Sequence, residues 1–214
     1  MKKTDWIWNG EADGQSPVLI LAHGAGAAMD SDFMNTMAER LAEQRICVVR
    51  FEFPYMQERR KTGKKRPPDR QPVLLQAWRD VIALVRETAG VENVFIGGKS
   101  MGGRMATLLA AEMSETDLSG VVCLGYPFHA PGKMDKPRIE HLMVFPVPLR
   151  IIQGDRDAMG NRETVQGYGL PRQLDIQWLP DGNHDLKPRK ASGHTHDEHL
   201  VMAAEKVAEF IRSQ

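Results

Sequence analysis

Hydrophobic and polar positions fall into two kinds of block along the chain. Short, unbroken apolar runs predict strands that are covered on both faces, and they occupy residues 17–24, 46–53, 93–98, 120–127, 147–154 and 174–180. Between these runs, apolar residues recur at spacings of three and four. This second pattern predicts helices over residues 30–44, 72–90, 101–113 and 198–214.

Strands that alternate with helices are typical of βαβ units. We therefore predict an α/β fold with a mainly parallel central sheet and helices on both faces, and we expect residues 1–214 to form a single domain. Two stretches, 54–72 and 126–146, lack periodicity and are predicted to be surface loops. In such folds ligands bind at the carboxyl ends of the strands, where the glycine-rich and polar segments of this chain fall.

Charge and composition indicate which partners and which cellular location to expect for the protein. The chain has 28 basic and 28 acidic residues, so no overall charge favours nucleic acid or a membrane surface. Lys2 and Lys3 precede no apolar segment of the kind found in secretory signals, and no apolar run is long enough to span a bilayer. Cys47 and Cys123 lie inside predicted strands and are expected to be buried free thiols. We expect a cytoplasmic protein.

Residues 98–102 read Gly-Lys-Ser-Met-Gly and allow two interpretations. The first three letters could end a phosphate-binding P-loop, but that motif needs glycine at residue 93, where the chain has Asn93. Residues 94–96 are a predicted strand, which leaves no room for a phosphate cradle. The five letters together read Gly-x-Ser-x-Gly, the signature of a nucleophile elbow.

The elbow interpretation meets the physical demands of that turn. A nucleophilic Ser100 needs a sharp strand-to-helix turn, and so tight a turn leaves no space for side chains at Gly98 and Gly102. The predicted strand precedes Ser100 and a predicted helix begins at Met101. The helix N-terminus favours negative charge that develops beside it.

A serine nucleophile requires a base and a group that orients the base, and in this kind of fold they follow in the order serine, acid, histidine. Asp155 and Asp157 follow one predicted strand, and His184 follows the last. We predict His184 as the base and Asp157 as the acid, because Asp157 lies far enough past the strand to turn back towards the histidine. Asp155 is expected to cap the turn or to pair with Arg156.

The other histidines are weaker candidates for the base. His23 is expected to shape its loop with its backbone, and His129 and His141 lie in an irregular insertion before the acid. His194, His196 and His199 could suggest a metal site. They have no companion ligand at a defined spacing, so a solvated loop and helix cap is the preferred interpretation, with no metal.

An oxyanion must also be stabilised during acyl transfer. We predict that the backbone N–H groups of Met101, next to the nucleophile, and Ala25, in the sequence His-Gly-Ala-Gly, supply this stabilisation. Lys99 is expected to be an exposed residue of the elbow.

Together these motifs resemble the α/β-hydrolase superfamily. The segments LILAHGAG, GGKSMGGRMA, IIQGDRDAMG and DGNHDLKP carry the resemblance across residues 19–188. With FPYM and RPPD, the chain is similar to the small serine hydrolases related to testis-expressed protein 30, near the dienelactone hydrolases. The resemblance implies a sheet of the eight-stranded type, trimmed here, and Ser100, Asp157 and His184 as nucleophile, acid and base. Dienelactone hydrolases use a cysteine nucleophile, where this chain has Ser100.

The function predicted from these residues is hydrolysis of a small-molecule carboxylic ester or thioester through an acyl-Ser100 intermediate, without a cofactor. The alternatives are a non-catalytic binding or scaffold protein of the same fold, and an acyltransferase or peptidase. Only residues 126–146 stand where a cap would be inserted, so an open cleft and short or medium acyl chains are expected. The basic segment 54–72 is either a solvated loop or a cleft wall that attracts an anionic acyl donor such as a CoA or phosphate ester.

Overall fold

The computed structural model describes residues 6–113, 117–172 and 174–214. Lys2 and Lys3, the two lysines that precede no apolar signal-like segment, lie outside the described residues. The described chain forms one seven-stranded sheet with the strand order β1-β3-β2-β4-β5-β6-β7. The strands are β1 (Ile7–Asn9), β2 (Val18–Ala22), β3 (Cys47–Phe51), β4 (Phe95–Lys99), β5 (Gly120–Leu124), β6 (Leu149–Gly154) and β7 (Asp175–Leu179).

The sheet is parallel except at one edge, where β1 pairs antiparallel with β3. The parallel order places the carboxyl ends of β2, β4, β6 and β7 along the same side of the sheet. The loops that follow these strands contain the predicted site residues, so the topology itself gathers them. The predicted α/β fold is thus confirmed.

Helices cover both faces of this sheet. They are α1 (Asp32–Glu43), α2 (Pro54–Thr62), α3 (Gln71–Ala89), α4 (Met101–Glu112), α5 (Arg162–Gln166) and α6 (His196–Arg212). Alternate residues of β2 point to opposite faces, as in any strand. Val18 and Ile20 enter the core beneath α2, α3 and α4, whereas Leu19 and Leu21 enter the core beneath α1 and α6. Burial on both faces explains why the strands read as unbroken apolar runs.

Three elements differ from the sequence prediction. The segment 54–72, predicted as a surface loop, contains α2 and the first residues of α3. Helix α2 begins with a proline at its first position and ends at Gly63 in the left-handed conformation, two signals that its polar composition obscured. Strand β1 and helix α5 were not predicted. They have three and five residues, and such short elements do not show a recognisable hydrophobic periodicity.

Three further predictions concern a cap, the two cysteines and a membrane span. In the described structure, the connection between β5 and β6 carries one short 3₁₀ helix, Glu140–Leu142, and no cap. Cys47 and Cys123 are buried free thiols, as predicted. Over the three described ranges, no helix is both long enough and apolar enough to cross a bilayer.

Candidate active site

Ser100 occupies a strained turn between β4 and α4. Its backbone has φ 53° and ψ −115°, which is rare for a residue with a side chain. The Ser100 N–H donates to the Leu124 carbonyl at 3.0 Å, and the Ser100 carbonyl accepts from the Arg104 N–H at 3.0 Å. These bonds tie the turn to the neighbouring strand and to the helix, so the surrounding structure holds the strained conformation. The geometry is that of the predicted elbow.

Close backbone packing around the turn explains the glycine at residue 98. A methyl group there would lie 2.6 Å from the Ala22 carbonyl oxygen and 2.7 Å from the Gly102 carbonyl carbon. Both neighbours are backbone atoms, which cannot move aside as a flexible side chain would. Glycine is therefore required at this position because β4, α4 and the end of β2 approach one another so closely.

We expect Gly98→Ala to lower the free energy of unfolding by about 1–3 kcal/mol, the usual effect of forcing extra atoms into packed structure. Urea denaturation followed by circular dichroism measures the change. Gly26→Ala is the matched control, because a methyl group on Gly26 would meet no heavy atom within 4 Å. Equal stability of the two variants would contradict this explanation of Gly98.

The structure brings together the three side chains that the sequence singled out. His184 Nε2 lies 2.7 Å from Ser100 Oγ, and His184 Nδ1 lies 2.7 Å from Asp157 Oδ2. The carboxylate can only accept the second bond, so Nδ1 carries a proton when that bond forms. The neutral ring then has an unprotonated Nε2 that faces the serine hydroxyl and can accept its proton.

Asp157 is fully buried, and each of its carboxylate oxygens has a defined partner. The Met159 N–H donates to Oδ1 at 2.8 Å, and Gln153 Nε2 donates to Oδ2 at 2.9 Å, beside the bond from His184. The Asp157 N–H donates to the Gly154 carbonyl at 3.1 Å, which turns the chain back beneath the histidine. The turn therefore places the carboxylate of Asp157 against His184.

Gln153 is a member of the site that the sequence argument missed. Its side chain is buried at the end of β6, where Oε1 accepts from the Tyr126 N–H at 2.7 Å. That bond fixes the orientation of the amide, so that Nε2 faces Asp157 and also the Gly160 carbonyl. The available signal was an uncharged polar residue near the end of a largely apolar strand, four positions before the predicted acid Asp157.

The rival histidines have other partners. His129 Nδ1 bonds the neighbouring Ala130 carbonyl. His141 Nε2 lies 2.9 Å from Thr107 Oγ1, and burial lowers the pKa of His141 to about 4, so its ring is neutral near pH 7. Neither bonds Ser100, whose described imidazole partner is His184.

Two of the three histidines near α6 have hydrogen-bond partners in the fold, whereas a solvated segment was predicted. His199, expected in a solvated segment, is buried and donates from Nδ1 to the Leu186 carbonyl at 2.8 Å. His196 donates to the Asp185 carbonyl at 2.9 Å. Within the described residues, no three histidine, cysteine, aspartate or glutamate side chains are grouped so that they could hold a metal ion.

The loop after β2 is fixed by the side chain of its own His23, which bonds the loop and the backbone that follows β3. His23 Nδ1 donates to the Gly24 carbonyl at 2.7 Å, and His23 Nε2 accepts from the Phe53 N–H at 3.2 Å. Burial lowers the pKa of His23, which keeps the ring neutral and suited to both bonds. The His23 ring, rather than its backbone as predicted, therefore shapes the loop.

The two predicted oxyanion donors belong to the loop after β2 and to the start of α4. The Ala25 N–H shares its peptide group with the Gly24 carbonyl, which accepts from His23 Nδ1 at 2.7 Å, and Tyr55 Oη donates to the Ala25 carbonyl of the next peptide at 2.9 Å. Met101 is the first residue of α4, and the first N–H groups of a helix have no partner within the helix. Both N–H groups thus belong to backbone that the fold holds in place.

A cleft of about 300 Å³ opens directly over Ser100. Small and apolar residues dominate its wall, together with His184 and a lysine–aspartate pair. The lining is Gly24, Ala25, Gly26, Ala27, Ser31, Phe33, Met34, Lys99, Ser100, Met159, His184 and Asp185. The cleft can hold a small acyl group next to the hydroxyl.

Lys99 departs from the prediction that it is exposed. Only 7% of the residue is accessible, and its ammonium donates to the His184 carbonyl at 2.8 Å. It also pairs with Asp185 Oδ1 at 3.1 Å. This side chain lies against the loop that carries the predicted base.

The basic segment borders a second cavity, of about 340 Å³, next to the cleft. Arg60 lines this cavity and pairs with the buried Glu52 at 2.6 Å and with Asp30 at 2.8 Å. Arg59 donates to the Gly26 carbonyl at 3.1 Å. The lining thus contains two arginines and two carboxylates, both of which pair with Arg60, and its formal charge is zero.

Comparison with protein families gives a match over most of the chain. The family model described as an alpha/beta hydrolase domain matches residues 15–212. This range contains every predicted site residue.

Solved structures of similar fold are numerous, and three illustrate the likeness. An α/β serine hydrolase without lid from Xanthomonas campestris is 20% identical, with 97% of this chain and 88% of that chain covered and a TM-score of 0.70. Est1E from Butyrivibrio proteoclasticus, solved with bound ferulic acid, is 15% identical, with coverage of 98% and 94% and a TM-score of 0.71. A dienelactone hydrolase from Anabaena variabilis is 21% identical, with coverage of 94% and 88% and a TM-score of 0.68. At these identities, the likenesses show the fold.

Proposed function

Because the chain belongs to the alpha/beta hydrolase family, we propose that it is a serine hydrolase that cleaves a carboxylic ester or thioester of a small molecule. Ser100 is the nucleophile, His184 the general base and acid, and Asp157 the group that orients His184. The proposal depends above all on two distances of 2.7 Å, from Ser100 Oγ to His184 Nε2 and from His184 Nδ1 to Asp157 Oδ2.

The first half of the proposed reaction forms an acyl-enzyme. His184 Nε2 takes the hydroxyl proton as Ser100 Oγ attacks the carbonyl carbon of the substrate. The resulting oxyanion accepts hydrogen bonds from the N–H groups of Ala25 and Met101. The intermediate then collapses, the bond to the leaving alcohol or thiol breaks, and His184 protonates the leaving group. Asp157 accepts the Nδ1–H bond throughout and stabilises the charged ring.

The second half releases the acid and restores the enzyme. A water molecule attacks the acyl carbon while His184 Nε2 removes its proton. The tetrahedral intermediate uses the same two N–H groups and breaks down to the carboxylic acid and free Ser100. Because these steps need only proton transfer and oxyanion stabilisation, we propose that the reaction uses no metal or organic cofactor. We also propose that residues 1–214 act as one domain.

The lining of the cleft favours a short or medium acyl chain without a charge. Phe33, Met34 and Met159 supply apolar surface, and a volume of about 300 Å³ is at the small end for ligand sites. The positive charge of Lys99 is compensated by Asp185, and that of Arg60 by Glu52 and Asp30. We therefore propose neutral esters or thioesters, rather than CoA or phosphate esters, as the substrates.

We expect a fluorophosphonate probe to label the protein at Ser100, because a serine reacts readily with such probes only when a base activates it. Mass spectrometry of the digested protein locates the label, and Ser100→Ala gives the background. An ester panel of varied acyl length and charge then ranks substrates, with neutral acetyl to hexanoyl esters expected to react fastest.

Two results would contradict the proposal. An unlabelled, fully folded protein would favour the alternative of a binding or scaffold role for this fold. A label on another serine of the cleft, such as Ser31, would remove Ser100 from the reaction. A preference for anionic esters would leave the mechanism intact but overturn the proposed substrate class.

A further inference from the structure

The loop that carries His184, residues 183–187, is held from outside at three consecutive carbonyl groups. The donors are Lys99 Nζ to the His184 carbonyl at 2.8 Å, His196 Nε2 to the Asp185 carbonyl at 2.9 Å, and His199 Nδ1 to the Leu186 carbonyl at 2.8 Å. A carbonyl only accepts, so both imidazoles donate these bonds. Each peptide of the loop near His184 therefore has a fixed position.

Lys99 differs from the other two donors in its place in the chain. The two histidines belong to α6, whereas Lys99 is the last residue of β4 and the direct neighbour of Ser100. Its side chain therefore links the turn that holds the serine to the backbone of the histidine. No other side chain of the described site makes this connection between the two.

We propose that Lys99 is a positioning residue for the reaction assigned above to Ser100, because its ammonium group fixes the His184 backbone relative to the nucleophile. The inference depends on the proposed function for its effect on rate. Lys99 does not exchange a proton with the substrate in this proposal. It acts through the placement of the imidazole.

Gly125 provides independent evidence that the backbone around Lys99 accommodates its hydrogen bond to His184. It has a φ of 66°, and a methyl group there would lie 2.5 Å from the His184 carbonyl oxygen and 3.3 Å from Lys99 Nζ. Glycine thus leaves the space in which this hydrogen bond forms. The ammonium group also lies 5.5 Å from the centre of the Phe33 ring, within the range of a cation–π contact.

The burial of a charged group at this position argues for a role beyond packing. Desolvation lowers the pKa of Lys99, and Asp185 opposes that shift as the nearby carboxylate. Buried ion pairs seldom stabilise a fold more than apolar residues of similar size would. The ammonium group instead fixes the position of the loop, since it donates to the His184 carbonyl and pairs with the Asp185 carboxylate.

Lys99→Met tests the proposal, because methionine fills similar space without the donor. With a neutral acetate ester, we expect kcat to fall by about 10- to 100-fold, since small displacements of a catalytic group have effects of this size. KM is expected to change by less than about twofold, as for the loss of an interaction that acts in the transition state. Lys187→Met, an exposed lysine of the same loop, is the matched control and should retain full activity.

A double-mutant cycle tests the pairing with Asp185, whose side chain is 65% exposed and therefore tolerant of change. Asp185→Ala alone is expected to lower kcat by about threefold. In the Lys99→Met background the same change should have no further effect, because the two residues act through one contact. Equal effects of Asp185→Ala in both backgrounds would overturn the proposed pairing.

A spectroscopic measurement separates this inference from the proposed function. The proton on His184 Nδ1, in its short bond to Asp157, should give a far-downfield proton NMR signal in the wild type and in Lys187→Met. We expect Lys99→Met to shift or broaden that signal while the melting temperature stays close to that of the wild type. A wild type without fluorophosphonate labelling, but with this response, would refute the proposed function and retain the positioning role. An unchanged signal and unchanged kcat in Lys99→Met would overturn the inference.

Discussion

His184→Ala is expected to lower kcat for a neutral ester by about 10⁶-fold, the effect of removing the base from comparable serine hydrolase sites. The physical reason is that the Ser100 hydroxyl is a poor nucleophile unless a base accepts its proton. His184 Nε2, at 2.7 Å from Ser100 Oγ, is the acceptor in position to do so. Stopped or continuous ester assays with purified protein measure the loss, and fluorophosphonate labelling should decline in parallel.

The matched control for this variant is His194→Ala. His194 is exposed and belongs to the same stretch of chain before α6, so its removal should change kcat by less than about twofold, as for most exposed substitutions. Added imidazole should restore part of the activity of His184→Ala, because the truncated side chain leaves space beside the cleft. Retention of more than a hundredth of the wild-type kcat in His184→Ala would assign the base to another residue.

The alternation of strands and helices along the chain, and the loops that carry Ser100, Asp157 and His184, could be predicted because each depends on local sequence. A buried parallel strand must be apolar, and the loops at the carboxyl ends must meet. Ser100 was marked by its flanking glycines, which a tight turn requires. The choice of Asp157 over Asp155 needed only the length of a turn. Their catalytic roles stay predictions until the experiments above are done.

The supporting contacts could not be predicted because they join residues that are far apart in the chain. Lys99 and His184 are separated by 85 positions, and nothing near Lys99 indicates that its ammonium group meets a carbonyl. Gln153 has the same difficulty, since its partner Tyr126 lies 27 positions earlier. The polar neighbours of His199 in the chain predict a solvated side chain, although it is buried on the inner face of α6.

Helix α2 shows a different limit of sequence reasoning. Its residues are mostly basic and polar, and only Tyr55 and Met56 are buried, so no apolar stripe marks the helix. Pro54 at its start and Gly63 at its end are typical of helix termini, but they indicate a helix less clearly than a hydrophobic periodicity would. The same helix holds Tyr55 against the Ala25 carbonyl, so the error in the prediction concealed a support of the proposed oxyanion site.

Asp157→Asn is expected to lower kcat by about 10⁴-fold while the fold is retained, as for the corresponding change in other serine hydrolases. The surroundings of the carboxylate explain the size of the effect. Gln153 and His184 both donate to Oδ2, and the Met159 N–H donates to Oδ1. An asparagine has one acceptor oxygen for these two positions, so its NH₂ group must face at least one donor.

Either orientation of the asparagine disturbs the site. With its NH₂ group in place of Oδ2, it faces the Gln153 amide, which cannot turn because Oε1 is held by the Tyr126 N–H. His184 would then have to accept at Nδ1 and carry its proton at Nε2, where it could no longer take the proton of Ser100. With the NH₂ group in place of Oδ1, the bond from Met159 is lost and the loop loosens.

Asp155→Asn is the matched control for this prediction. Asp155 lies two positions earlier in the same turn, and its described backbone bonds run to Leu179 and Arg162 and not to the site. We expect kcat in this variant within about threefold of the wild type, whereas Asp157→Asn should lose activity without a comparable rise in KM. Ester assays and melting temperatures of both variants decide the matter. If Asp155→Asn proved the more damaging, the carboxylate that orients His184 in solution would not be the one 2.7 Å from its Nδ1.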